Sequence, residues 1–70
     1  MNNPPTIQTR VLTTIMTHYC DPFSVMAVLR EVNQSIWAPL SVVQVKKALD
    51  RMADNGQLVR RALGVFEWKK

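Results

Sequence analysis

Seventy residues with 47% hydrophobic content and a net charge of +4 suffice for one small domain with a slim margin of stability. That length excludes an elaborate catalytic centre, and the single cysteine, Cys20, excludes an intramolecular disulfide or a thiolate-rich zinc site. No apolar run approaches the roughly 20 residues that span a bilayer, and the start MNNPPT lacks the basic and apolar stretches of a signal peptide. The expectation is a cytoplasmic protein without membrane contact, residues 1–5 forming a flexible lead and residues 6–70 a single domain.

From Thr6 the chain becomes periodic. Ile7, Val11, Leu12, Ile15, Met16 and Tyr19 recur at spacings of three and four, which puts them on one face of a helix over 6–19. Thr9, Arg10, Thr13 and Thr17 fall on the other side, and because threonine is a mediocre helix former, packing of the apolar face must hold this helix. Pro22 disfavours helical geometry in the residue before it and breaks the pattern. A second helix is predicted over 24–33, with Asp21 or Ser24 as its N-cap. With Ser24 as cap, Phe23 and Val28 form a hydrophobic staple, and Met26, Leu29 and Val32 continue the buried stripe. Residues 33–39 form a connection, since Pro39 cannot lie inside a helix. It carries Ile36 and Trp37, too apolar to be left in water, so the loop is expected to fold back on the core.

The third helix, over 41–55, has the clearest local signature. Ser41 and Gln44 fit the capping box S-x-x-Q, flanked by Leu40 and Val45 as a staple. Val42, Val45, Ala48, Leu49 and Met52 make its core stripe, while Gln44, Lys47 and Arg51 share an outer face. Asn55-Gly56 stops it, because glycine takes the left-handed conformation without steric cost. Residues 57–62 and 65–69 flank Leu63-Gly64 and read as a small antiparallel hairpin, with Leu58 and Val59 or Phe66 and Trp68 toward the core. Alternation sends Arg60 and Arg61 to opposite faces, one of them beside the third helix.

The charge is confined to the second half of the chain. Residues 1–40 hold Arg10 and Arg30 against Asp21 and Glu31, whereas residues 41–70 hold Lys46, Lys47, Arg51, Arg60, Arg61, Lys69 and Lys70 against Asp50, Asp54 and Glu67. A one-sided basic field suits a polyanion, since neutralised phosphates release counterions, although a basic surface also serves solubility alone. His18 lacks a partner at ligand spacing and reads as a surface or helix-end residue, not a metal ligand. Met16, Met26 and Met52 read as core fillers, and Cys20 as a small buried residue. The five acids are scattered, no Ser-His-Asp set converges, and two glycines make no phosphate loop, so neither an enzyme nor a bound cofactor is expected.

Three helices followed by a hairpin, mainly α with the basic charge on the last helix and the hairpin, resemble the winged helix-turn-helix family of small bacterial, phage or plasmid regulators. The stretch VKKALDRMADNGQLVRR carries the likeness: a recognition helix, a glycine stop and the first wing strand. The resemblance implies a DNA-binding transcriptional regulator with helix 41–55 in the major groove of double-stranded DNA. Val43, Gln44 and Lys47 would then meet base edges, Ser41 or Lys46 would sit near phosphate, and Arg51, Arg60, Arg61, Lys69 and Lys70 would contact the backbone. Gln44 could pair bidentately with adenine and Lys47 could donate to guanine. A homodimer would match a symmetric site. The apolar loop at Ile36 and Trp37, and a hairpin tip of Leu63-Gly64 without basic residues, motivate the alternative of a protein-interaction module, an adaptor or inhibitor that docks a protein partner through that loop.

Overall fold

A computed structural model describes residues 5–18 and 21–69. The expectations for residues 1–4, Tyr19, Cys20 and Lys70 lie outside the described residues. Three α-helices, Ile7–Ile15 (α1), Val25–Val32 (α2) and Val42–Asp54 (α3), pack with a three-stranded antiparallel sheet formed by Phe23–Ser24 (β1), Leu58–Ala62 (β2) and Val65–Trp68 (β3). The sheet order is β1-β3-β2. No described helix is long and apolar enough to cross a membrane.

Each helix begins where a side-chain oxygen satisfies a backbone donor that the first turn leaves orphaned. Thr6 caps α1, Ser24 caps α2 and Ser41 caps α3, each accepting from the N–H three residues on. At α3 the box is complete: Ser41 Oγ accepts from Gln44 N at 3.2 Å and Gln44 Oε1 accepts from Ser41 N at 2.8 Å. Both predicted staple pairs, Phe23 with Val28 and Leu40 with Val45, belong to the buried core. That core gathers Val11 and Ile15 from α1, Val28 and Val32 from α2, Val45, Leu49 and Met52 from α3, and Leu58 and Phe66 from the sheet.

Several apolar residues assigned to the core stay outside it. Met16 ends α1, where the chain tightens into a 3-10 turn, Met16–His18, and turns that side chain outward. The first α-helix is therefore shorter than the 6–19 span that the periodicity predicts. Met26 and Val42 lie in the first turns of α2 and α3, and both are exposed. Met26 also breaks the predicted stripe through Leu29 and Val32.

The sheet has one strand more than the expected hairpin. Phe23 pairs with Phe66 and Ser24 with Val65, and Val25 N donates to Gly64 O at 2.9 Å, so the hairpin is fastened to the start of α2. Within the hairpin, Leu58 faces Trp68 and Arg60 faces Phe66 across the strands, which puts these four on one side. A register shift between Arg60 and Ala62 leaves Arg61 in a bulge. Gly56 after α3 and Gly64 at the hairpin turn both take positive φ, 83° and 74°, the conformation that favours glycine. Trp68 Nε1 donates to Ile15 O at 3.0 Å and ties β3 to the end of α1.

The connection over residues 34–40 is held by polar groups, not by its apolar ones. Asn33 donates to Leu40 O at 3.0 Å and accepts from Leu40 N at 2.8 Å, imitating a strand partner. From α1, Arg10 donates to Ala38 O at 2.8 Å and to Ser35 Oγ at 3.2 Å. Ile36, expected to fold back on the core, is 93% exposed. Trp37 is only half-buried, against a small pocket of about 200 Å³ between α1, α2 and the loop.

Candidate nucleic-acid interface

The capping box sets where α3 begins, and a helix of 3.6 residues per turn then decides what faces outward. Val45, Ala48, Leu49 and Met52 take the inner face. Val43, Gln44, Lys47 and Arg51 are all exposed on the outer side. The last three border an open groove of about 650 Å³ between α3 and the first turn of α1, where Ile7 and Gln8 form the other bank. Asp50, Asp54 and Asn55 also line it, so its polarity is mixed and not uniformly basic.

The ion pairs sort the basic residues into two groups. Arg60, on the β2 face that looks toward α3, reaches Asp50 at 3.4 Å and Asp54 at 3.1 Å. The hydrogen bond to Asp54 raises the Arg60 pKa above its ordinary value, against the opposing effect of desolvation. Lys46 lies 3.6 Å from Asp50 one turn along α3. Arg61, at the bulge, pairs with Glu67 of β3. These pairs are exposed on at least one partner and contribute little to stability, yet each holds a cation that the charge count treats as free. Among the described residues, Lys47, Arg51 and Lys69 of the C-terminal half enter no ion pair and are exposed.

The sequence-predicted site residues are therefore only partly brought together. Val43, Gln44, Lys47 and Arg51 share one surface with Ser41 and Lys46 at its N-terminal end. Arg60 stands beside that surface but is turned onto the two aspartates of α3. Arg61 is directed to Glu67, and Lys69 follows the end of β3. Lys70 lies outside the described residues. Gln44 Oε1, the atom expected to accept from adenine, also accepts from Ser41 N at 2.8 Å.

Reading the sequence missed two residues that shape this surface. Arg10 and Asn33 fix the loop that delivers the chain into α3, where the sequence placed Arg10 on the polar side of the first helix and Asn33 at the end of the second. Nothing in their spacing could have exposed the role, since each partner is a backbone group or a small side chain in a loop. His18 pairs with Glu31 at 2.7 Å, joining the end of the first helical segment to α2. Comparison with protein-family models, with curated proteins and with solved structures finds no match.

Proposed function

We propose that the chain is a double-stranded-DNA-binding protein of winged helix-turn-helix type, a small transcriptional regulator of the cytoplasm that enters the major groove with the N-terminal half of α3. The observation that carries this reading is the row Val43, Gln44, Lys47 and Arg51, exposed on one face of a rigidly capped helix, with neither cation in an ion pair. A helix of this width fits the major groove, and ammonium, amide and methyl groups are chemically suited to base edges. The sequential order of three helices and a basic hairpin is in keeping with the family the sequence resembles.

Titrating the chain against a labelled duplex at two salt concentrations tests the proposal. Phosphate neutralisation gives log K a slope of about −0.9 per phosphate against log salt, so three unpaired cations predict a slope near −3, and the seven basic residues of the C-terminal half, if all were engaged, a slope near −6. Absence of binding at low salt rejects the reading.

A second reading has its own support: Ile36 is 93% exposed and Leu63, at the hairpin tip, 99%. Isolated apolar side chains are common on surfaces, but both sit at the tips of loops, where a protein partner could cover them. Ile36→Asp separates the readings, leaving duplex affinity unchanged if α3 is the interface and abolishing capture by a protein partner if the loop is.

A further inference from the structure

The open groove beside α3 has two banks. Lys47 and Arg51 stand on the α3 bank with Asp50 and Asp54, and Ile7 and Gln8 stand on the α1 bank. Lys47 and Arg51 are four residues apart, about 6 Å along the helix. Among the described residues neither of these cations enters an ion pair.

The two carboxylates do not close the groove to an anion. Asp50 lies 3.6 Å from Lys46 and 3.4 Å from Arg60, and Asp54 lies 3.1 Å from Arg60. With Lys47 and Arg51 added, four cations stand against two carboxylates on this side of α3, so the local field is positive. The α1 bank brings no acid, because none occurs in the first turn of that helix, and a helix start is the positive end of its dipole. Gln8 is half-buried in that turn, and among the described residues its side-chain amide makes no hydrogen bond. Its NH2 group is an unused donor on the bank opposite two unpaired cations.

The major groove is about 12 Å wide and a helix with its side chains about 10–12 Å across, so a helix lying in it has a sugar-phosphate ridge close on either side. Resting on the DNA-binding reading above, we infer that one of these ridges seats in the groove between α3 and α1, with Gln8 as a phosphate contact on the bank opposite Arg51. Phosphate oxygens accept, and Lys47, Arg51 and the Gln8 NH2 donate. The contact brings the first helix to the duplex as well as the third, and it fixes which side of α3 leans on the backbone.

Duplex titration of the full chain reads the contact through the charge at position 8. Gln8→Glu sets a carboxylate against the phosphate and should weaken binding about tenfold. An acid at a helix start favours the helix, so this variant should melt no lower than the parent by circular dichroism. Gln8→Lys adds a cation and should tighten binding, steepening the fall of log K with log salt by about 0.9. Thr13→Glu makes the same charge change as Gln8→Glu on the part of α1 that borders the loop and α2 instead of the groove. At about 0.1 M salt, where charges beyond about 10 Å are screened, it should weaken binding by no more than about twofold. Equal losses for Gln8→Glu and Thr13→Glu, or a salt slope unmoved by Gln8→Lys, would overturn the inference while duplex binding by the parent stands. Failure of the parent to bind duplex at low salt rejects the DNA-binding reading itself, and the inference with it.

Discussion

Asn33→Ala removes the joint that delivers the chain into α3, and its cost follows from two hydrogen bonds. The side chain donates to Leu40 O at 3.0 Å and accepts from Leu40 N at 2.8 Å, closing a seven-residue span as a strand partner would. Leu40 is in the core, so its backbone groups are not freely rehydrated when the partner is cut away. At about 1 kcal/mol net for each bond, the loss is about 2 kcal/mol. For a domain of this size each kcal/mol lowers Tm by roughly 4–8 °C, so the variant should melt about 8–16 °C below the parent. Thermal unfolding followed by circular dichroism reads the global effect, and hydrogen exchange at the Leu40 amide reads the local one. A fall in Tm below about 3 °C, together with unchanged exchange at Leu40, would show that water replaces Asn33 at no cost and would refute the reasoning.

The other expectations bear on the sheet, the helix stop and the charge network. Trp68→Phe deletes the donor to Ile15 O and should cost about 1 kcal/mol or more, seen as a drop of at least 4 °C in Tm. Gly56→Ala meets no atom within 4 Å of its new Cβ, so its penalty of about 1–2 kcal/mol arises only from the left-handed backbone; in denaturant titration Gly56→Asn should lose less, and equal losses would point away from backbone strain. Asp54→Asn takes a negative charge from the outer side of α3 while Asp50 still engages Arg60. On the DNA-binding reading this variant should bind duplex more tightly with a steeper salt slope, and weaker binding would mean that Asp54 is needed to aim Arg60.

The local features of the fold were legible because they are written in short windows. Ser24 and Ser41 cap their helices, the Ser41–Gln44 box forms, and Gly56 stops α3, each as the immediate neighbours indicate. What failed depends on distance along the chain. Phe23–Ser24 is too short to show an alternating pattern and becomes a strand only because Phe66 and Val65 arrive beside it. Ile36 was expected inside on hydrophobicity alone, but Arg10 and Asn33 fix the loop by its carbonyls and amides and leave that side chain in water. Met26 shows the same limitation at a helix start: periodicity identifies a face, while burial requires a neighbour to cover it.

Charge was the least legible property of the candidate site, because a sum over residues ignores where the acids fall. Asp50 and Asp54 are one turn apart on α3, and uncompensated they would repel any phosphate approaching its C-terminal half. A single guanidinium from the next strand answers both, since Arg60 lies within 3.4 Å of each carboxylate. Arg60 of the hairpin therefore offsets negative charge on α3. The charges of α3 thus sort along its length: Asp50 and Asp54 are matched by Arg60 of the sheet, while Lys47 and Arg51 are exposed and enter no ion pair among the described residues. An assay that replaces Arg60 alone removes one cation and exposes two anions at once; only in combination with Asp50→Asn and Asp54→Asn does the change report on contact with a ligand.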